Sequence, residues 1–423
     1  MRRHAIARRL LPALLASFAL ASLAVPAAAA ANPANDAFAN KQPIATLPYS
    51  DSRAIDGATG EASEPNPYCA ESASPPDATV WYSFKPASTM TVRADTSGSG
   101  FSTEIAVYTG SSIGSLALVD CNWQVEQDDL TTSSLAWKAL KNVTYRIQVM
   151  DDSDDIAGTL HFHVQKVASP SNDSFAHAKT VGSLPFHASL SNRNATYGLE
   201  EPVPGCAPVG ATAWYTFTPS HTGAIQVHTL SSDYDTVLAV YRGTSVGSLA
   251  QVACNDDTSG GYDGFQSLVT FRAVKGRTYS VQVGGYTAAS GDTELTIKGV
   301  TPPGNDAFAG ATPLPPQETM VPTRKATFQA GEPEASCVDL PGATRWYTFV
   351  LGAPVTVSMT VSAEDTDAFG AIYSGSALSS LSEELCVLAG PGDSVALDAG
   401  TYHVQVGGAD SDSGVIYLQV AIP

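Results

Sequence analysis

The feature that most constrains the fold of this chain is a threefold internal repeat. NDAFAN, NDSFAH and NDAFAG begin at Asn35, Asn172 and Asn305, so successive copies start 137 and 133 residues apart. Each copy then runs through the same landmarks in the same order: Leu-Pro, Glu-Pro-x-x-x-Cys, Trp-Tyr-x-Phe, a Tyr-x-Gly turn, a second Cys and Thr-Tyr-x-x-Gln-Val. Such periodicity indicates that one structural unit is used three times.

The repeats divide the chain into units of about 130 residues, an ordinary domain size. We predict a signal peptide at 1–30 and three repeat units at 31–168, 169–301 and 302–423. The joins at 168–171 and 301–304 are short and contain proline, which predicts stiff spacers between units.

The composition within each unit is typical of β structure. Runs such as TVLAVY and TYSVQV are β-branched and aromatic, and Gly, Pro, Ser and Asp separate them. Many short strands of this kind indicate antiparallel sandwiches. The predicted fold is all-β: three tandem jelly-roll-like antiparallel β-sandwich domains.

The first 30 residues resemble a secretory signal peptide. Four arginines precede an apolar run from Leu10 to about Val25, and PAAAA follows as a cleavage region. No other apolar run has the roughly 18 residues that a transmembrane helix needs, so we expect no membrane span. The predicted location is extracellular or at the cell surface, with the periplasm as the alternative. A net charge of −19 argues against nucleic acid as a partner.

Each unit contains two cysteines, separated by 52, 48 and 49 residues. Export supplies an oxidising compartment, and the spacing lacks the clustering of a metal site. One disulfide per unit is the economical arrangement, which predicts three bonds: Cys69–Cys121, Cys206–Cys254 and Cys337–Cys386.

Two stretches match G-x-S-x-G, the nucleophile elbow of serine hydrolases, with Ser112 and Ser245 at the centre. An elbow needs a strand, a sharp turn and a helix, but SLAQVACND after Gly247 reads as another strand. The third copy has Ala377 at this position. We therefore predict that both serines are turn residues of a β-hairpin.

The most persistent polar residues are an Asn-Asp pair at the head of each copy and a glutamate five residues before the first cysteine. One interpretation is local, with Asp capping the segment that follows or Asn forming an Asx-turn. The other is a calcium site built from hard oxygen ligands. The predicted ligands are Asn35, Asp36, Glu64, Asn172, Asp173, Glu201, Asn305, Asp306 and Glu332.

Two further acidic stretches bear on calcium. In the second copy, CNDD adds Asp256 and Asp257 to the candidate ligands. The stretch DDSDD, with Asp151, Asp152, Asp154 and Asp155, lacks the spacing of an EF-hand and is interpreted as a solvated loop.

The Trp-Tyr pair starts a strand in which alternate residues point to opposite faces. Tyr215 and Phe217 share one face, and Trp214 takes the other. We expect this tryptophan to pack under a loop or near the disulfide; a sugar-stacking platform is the alternative. Trp137 is predicted to be a core residue, and Trp123 is the better candidate for exposure.

The ordered landmarks resemble repeats of the bacterial pre-peptidase C-terminal domain family. The resemblance is carried by NDAFA, EP, WY-F, DTVLAVY-G, VACNDD and TY-VQV, and the second copy matches best. It covers the mature chain and implies jelly-roll-like sandwiches outside the cell. Some members bind calcium through an Asn-Asp region, which corresponds here to the three pairs named above. The catalytic domains that such modules accompany are absent from this chain.

The sequence as a whole predicts a secreted, non-enzymatic array of β-sandwich modules. The expected partners are an extracellular polymer, glycan or protein, and calcium is the expected cofactor. The alternatives are an accessory or inhibitor subunit of a secreted enzyme, and a hydrolase with an interdomain cleft.

Overall fold

The computed structural model describes residues 32–67, 69, 78–123, 132–151, 158–258, 264–339, 341–364, 366–409 and 412–423. Over these residues the chain is built from strands and six short 3-10 turns, which confirms the all-β prediction. The predicted signal peptide and Asp152, Asp154 and Asp155 lie outside them. Among the described residues, no helix is long and apolar enough to cross a membrane.

Within the described residues, each copy of the repeat contributes nine strands. The first copy contains β1 Gln42–Ile44, β2 Tyr49–Ala54, β3 Thr79–Phe84, β4 Met90–Asp95, β5 Thr103–Thr109, β6 Ala117–Asn122, β7 Ser134–Ala139, β8 Tyr145–Asp151 and β9 Thr159–Val167. The second contains β10 Lys179–Val181, β11 Phe186–Ser191, β12 Val209–Phe217, β13 Gly223–His228, β14 Thr236–Arg242, β15 Ala250–Asn255, β16 Leu268–Ala273, β17 Tyr279–Tyr286 and β18 Asp292–Val300. The third contains β19 Thr312–Pro313, β20 Thr319–Pro322, β21 Thr344–Leu351, β22 Val355–Ala363, β23 Ala368–Ser374, β24 Ser382–Leu388, β25 Asp393–Leu397, β26 Gly400–Gly408 and β27 Val415–Ala421.

The strands of each copy form a five-stranded and a four-stranded sheet with the same order every time. In the second copy the orders are β10-β12-β17-β14-β15 and β11-β18-β13-β16. The pairing is antiparallel except for the first strand of each copy, which runs parallel to its neighbour. The predicted antiparallel sandwich is therefore confirmed, with one short parallel strand added at an edge. The exact unit boundaries stay a prediction.

The main core of each copy lies between its two sheets, because alternate residues of each strand point inward. In the second copy this core includes Tyr215, Phe217 and Val240. The side chain of Trp214 points away from this core, to the outer face of the five-stranded sheet. It is completely buried there in a smaller cluster with Tyr241 and Cys254. The predicted division of the Trp-Tyr strand between two faces is confirmed.

The other tryptophans follow the same logic. Trp137 is buried in the main core of the first copy, as predicted. Trp123 is half-buried and packs against the outer cluster that contains Trp81, so the expectation of exposure holds only in part. A sugar-stacking platform at the repeated tryptophan is wrong, because Trp81, Trp214 and Trp346 have no exposed surface.

Three disulfides join the predicted partners: Cys69–Cys121, Cys206–Cys254 and Cys337–Cys386. Their Cα atoms are 6.0, 6.0 and 5.8 Å apart, within the usual range. Each bond ties the second strand of a hairpin to the loop that carries the Glu-Pro sequence. The pairing predicted from spacing is confirmed.

The two G-x-S-x-G sequences lie in hairpins, as predicted. Ser245 immediately precedes the 3-10 turn Val246–Ser248, which connects β14 to its antiparallel partner β15. Ser112 has the same place between β5 and β6, and Ala377 has it in the third copy. A strand, not a helix, follows each turn, so the geometry of a nucleophile elbow is not present at either serine.

Candidate functional site

The recurring asparagine at the head of each copy holds the strand that carries the buried tryptophan. In the second copy, Asn172 Nδ2 donates to the carbonyl of Trp214 over 3.1 Å, and Trp214 N donates back to the carbonyl of Asn172 over 2.8 Å. Asn35 with Trp81 and Asn305 with Trp346 repeat this reciprocal pair. Through its side-chain amide and its own carbonyl, the asparagine therefore pairs with the backbone of the tryptophan strand as an additional short strand would.

The aspartate that follows caps a distant loop. Asp173 Oδ1 accepts from Thr196 N over 2.6 Å, and its Oδ2 accepts from Thr196 Oγ1 over 3.0 Å. Asp36 with Thr59 and Asp306 with Thr327 make the same two bonds. The expectation that Asp caps the segment directly after it is wrong, because both oxygens are directed to a threonine 23 or 21 residues away.

The glutamate of the Glu-Pro sequence lies under the indole of the buried tryptophan. Glu201 Oε2 accepts from Trp214 Nε1 over 3.0 Å and from Thr212 Oγ1 over 2.6 Å. Gln282 Nε2 donates to the same oxygen over 3.2 Å, and Gln282 Oε1 accepts from the hydroxyl of Tyr241. One carboxylate thus links three strands of the sheet to the loop that precedes them.

The first and third copies contain most of this network. Glu64 accepts from Thr79 and Trp81, each over 2.9 Å. Glu332 accepts from Thr344 over 2.5 Å and from Gln405 over 3.1 Å. We call the set of Asn, Asp, Glu, Thr and Trp in each copy the indole clasp: Asn35, Asp36, Glu64, Thr79, Trp81; Asn172, Asp173, Glu201, Thr212, Trp214; Asn305, Asp306, Glu332, Thr344, Trp346.

The clasp carboxylates lie in a desolvated environment. Burial raises the pKa of Glu332 to about 7, and it also raises the pKa values of Glu64 and Glu201, against the lowering effect of their hydrogen bonds. Burial likewise raises the pKa values of Asp173 and Asp306. All nine predicted calcium ligands lie in the clasps, where the carboxylates accept hydrogen bonds and the asparagine amides donate them. Calcium binding by these residues stays a prediction.

A second acidic group lies at the end of the β14–β15 hairpin. Asp235 directly precedes β14, and Asp256 and Asp257 directly follow β15, while the register pairs Leu238 with Asn255. Each aspartate offers a carboxylate oxygen within 4.8 Å of those of the other two. We call these three residues the aspartate cluster.

The electrostatics of the aspartate cluster are unfavourable for three anions. Among the described residues, the Oδ1 atoms of all three side chains are buried without a hydrogen-bond partner. Burial, with repulsion from Asp235 and Asp257, raises the pKa of Asp256 to about 8, and burial with repulsion from Asp257 raises that of Asp235 to about 7. Burial also raises the pKa of Asp257. A bound divalent cation would supply the missing partner, and carboxylate oxygens are the ligands that calcium prefers.

The cluster belongs to the second copy. At the positions of Asp256 and Asp257 the third copy has Leu388 and Ala389, and the first has Trp123 and Gln124. Asp256 and Asp257 were predicted from the sequence as additional ligands for the calcium site of the second copy, whereas Asp235 was not predicted. The antiparallel register of the hairpin, which the sequence does predict, is the signal that could have identified Asp235.

Among the cavities formed by the described residues, two larger ones border the second copy. One, of about 380 Å³, lies between the second and third sandwiches and is lined by residues of β15 and β16, by Phe328 and Ala330, and by 341–343. The other, of about 770 Å³, is a groove at one end of the second sandwich between segments 181–185, 217–225 and 298–301. Both volumes fall in the range of small-ligand sites.

No family model matches the chain, and no curated protein matches it either. Several solved structures with β-rich domains match the chain. They include the CUB1-EGF-CUB2 domains of rat MASP-1, at 7% identity over 61% of this chain and 99% of that one, with a TM-score of 0.17. A triple jelly-roll protein of an archaeal virus turret matches at 11% identity over 83% and 82% of the two chains, with a TM-score of 0.16.

A third structure contains the CBM32-1, CBM32-2 and M60 catalytic domains of Clostridium perfringens ZmpB. It matches at 8% identity over 88% of this chain and 56% of that one, with a TM-score of 0.18. Scores this low carry no information on the function or ligands of this chain.

The clasp predicts a difference between two adjacent glutamates. We expect Glu201→Ala to lower the free energy of unfolding by about 1–3 kcal/mol, because it leaves the buried indole N–H of Trp214 without an acceptor and removes the nearer of two acceptors of the Thr212 hydroxyl. Glu200→Ala, at an exposed position, is the matched control and should change it little. Chemical denaturation followed by tryptophan fluorescence measures both, and equal effects would contradict a role for the clasp.

The clasp of the third copy also predicts a pH dependence. Glu332 ionises near pH 4.5 in the unfolded chain but near pH 7 when folded, so the folded state binds the proton more tightly. Its contribution to stability is therefore fully present below about pH 4.5 and is lost as the pH rises to 7. Hydrogen exchange of peptides from β21, compared at pH 5 and 7.5, should show this loss in the wild type and Glu334→Gln but not in Glu332→Gln. Identical pH dependence of hydrogen exchange in all three proteins would refute the contribution of Glu332.

Proposed function

We propose that the chain is a secreted, non-enzymatic array of β-sandwich modules that binds an extracellular polymer, glycan or protein. The observation that carries this proposal is the use of the recurring residues. Asn, Asp, Glu, Thr and Trp recur in all three copies. Most of their polar side-chain atoms are hydrogen-bonded within the indole clasps, and in the first and second copies these bonds include the tryptophan N–H. Because the recurring residues serve the fold, the surface residues that differ between copies are free to bind a partner.

Secretion is supported by the disulfides and by the basic and apolar start of the sequence. Three disulfides in a chain without a further cysteine are typical of proteins that fold in an oxidising compartment. The resemblance to pre-peptidase C-terminal domains points the same way and stays a proposal. An array of similar modules gains affinity for a repetitive polymer through multivalency.

Calcium enters the proposal at the aspartate cluster. Three buried, unpartnered carboxylate oxygens from the two ends of one hairpin support a cation there more strongly than the clasp carboxylates do. The ion would hold the end of β15 against the start of β14 and would neutralise the repulsion between the three side chains. Its role would be to fix a surface loop of the second sandwich.

The aspartate cluster predicts opposite effects of one substitution with and without calcium. Calcium should raise the melting temperature of the wild type, by an amount equivalent to about 2.7 kcal/mol at a hundredfold excess over Kd. Asp256→Asn should abolish this response but raise the melting temperature in chelator at neutral pH, because folding then no longer has to protonate a buried carboxyl whose pKa is raised to about 8. Differential scanning calorimetry measures both.

The matched control is Asp367→Asn. Asp367 occupies the position of Asp235 in the third copy, where the two other acids are replaced. The Asp367→Asn substitution should leave the calcium-induced rise in melting temperature unchanged. A wild-type melt that is insensitive to calcium would refute the cation site without bearing on the binding function.

The binding function itself predicts retention on an insoluble extracellular material. The mature chain should be pulled down by at least one of collagen, chitin, cellulose and peptidoglycan, measured by depletion from solution with calcium and with chelator. Bovine serum albumin serves as the unretained control. Turnover of any of these materials that a point mutation abolishes would overturn the non-enzymatic assignment, and absence of retention on all would favour a secreted enzyme as the partner.

A further inference from the structure

The cavity between the second and third sandwiches is formed by two surfaces that are held together by hydrogen bonds. The carbonyl oxygen of Arg324, in the third copy, accepts from Gln226 Nε2 over 2.9 Å and from Thr270 Oγ1 over 2.8 Å. Arg324 Nη2 donates to the carbonyl of Thr258 over 3.3 Å. These contacts place the 380 Å³ cavity against β15 and β16, the edge strands of the two sheets of the second sandwich.

Three guanidinium groups line this cavity. Arg242 ends β14, Arg272 lies in β16, and Arg277 lies in the turn before β17. All three are exposed, and among the described residues none forms an ion pair or a hydrogen bond through its side chain. The chain has 22 basic against 41 acidic residues, so a cluster of three unpaired arginines runs against its overall charge.

The charges that face the arginines leave the cavity positive. Asp412 is the one carboxylate among the described lining residues, and its Oδ1 accepts from Ser413 N over 2.7 Å. Arg272 also lies near enough to Asp306 to lower the pKa of that carboxyl slightly, against the larger effect of burial. Three guanidiniums against two carboxylates, Asp412 and Asp306, each already hydrogen-bonded within the protein, give a local excess of positive charge.

The arginines are not required by the scaffold. At the position of Arg242 the first and third copies have Thr109 and Ser374, and at that of Arg277 they have Val143 and Gly400. Arg272 corresponds to Lys138 and Ala396. Both other copies form the same sheets without these side chains. The cluster is therefore a feature of the second copy alone.

We propose that this cavity binds an acidic saccharide unit of an extracellular polysaccharide, through its carboxylate or sulfate group. Guanidinium forks match the geometry of both groups and can bind them with two parallel hydrogen bonds. Phe328 and Val252 line the same cavity and are half-exposed, so they offer an apolar surface for the face of a sugar ring. This inference rests on the proposed binding function and names the ligand class of one of its sites.

The test compares two triple variants of the mature chain that remove the same charge. Arg242→Gln/Arg272→Gln/Arg277→Gln changes the cavity, and Lys85→Gln/Lys141→Gln/Lys166→Gln changes exposed positions of the first sandwich. Binding to immobilised polygalacturonate, dextran sulfate, neutral dextran and polyglutamate is measured at physiological salt. The first two ligands separate a carboxylate from a sulfate as the preferred group.

We expect the wild type to bind an acidic polysaccharide and not dextran, and the arginine variant to lose at least about tenfold in affinity, or about 1.4 kcal/mol. The lysine variant should lose less than about twofold. A third variant, Ala330→Trp, fills the cavity from an exposed lining position without changing charge, and it should weaken binding comparably. Circular dichroism and melting temperatures confirm that each variant is folded.

Three outcomes would overturn the proposal. Equal losses in the two triple variants would indicate diffuse electrostatics, tighter binding of polyglutamate would indicate a peptide site, and no binding of either acidic polysaccharide would remove the ligand class. If neither acidic polysaccharide binds, retention on collagen, chitin, cellulose or peptidoglycan would still support the proposed binding function. Failure of this site is therefore distinguishable from failure of the binding function.

Discussion

The constraint on which each sandwich depends is the burial of a tryptophan on the outer face of its five-stranded sheet. An indole there must exclude water from its ring and still find an acceptor for its N–H, because an unpartnered buried donor costs about 1–3 kcal/mol. In the second copy the phenyl ring of Phe175 packs edge-on against Trp214 at 5.2 Å between centroids, and Glu201 accepts the N–H. The disulfide Cys206–Cys254 closes the same cluster.

This constraint explains why the repeat has the landmarks it has. The phenylalanine of N-D-x-F covers the indole, the asparagine holds its strand, and the Glu-Pro loop brings the acceptor. Residues that are far apart in sequence recur together because they meet at one side chain. The persistence of Asn, Asp and Glu, which suggests metal ligands in the sequence, therefore has a structural cause whether or not an ion also binds.

The sequence predicted the fold well because repetition and strand alternation are local signals. The two faces of the Trp214–Phe217 strand, the hairpin at Ser245 and the disulfide pairs all follow from spacing. The partner of Asp173 could not be predicted, because Thr196 lies 23 residues further along the chain, beyond β10 and β11, and no local spacing rule joins the two. The arginine-lined cavity was beyond prediction for a related reason: it depends on how two sandwiches meet, which the contacts of Arg324 decide and no repeated motif encodes.

The second copy differs from the others in a consistent way. It keeps every member of the clasp, and it alone combines the aspartate cluster with three arginines at the facing cavity. Asp256 and Arg242 lie at opposite ends of the same β14–β15 hairpin, since Leu238 pairs with Asn255 near one end and Arg242 with Ala250 at the other. A cation that fixes the acidic end would also limit the motion of the strand that carries Arg242. Because most of the clasp recurs in all three copies, the departures from the repeat, rather than the repeat itself, are where recognition is expected to reside.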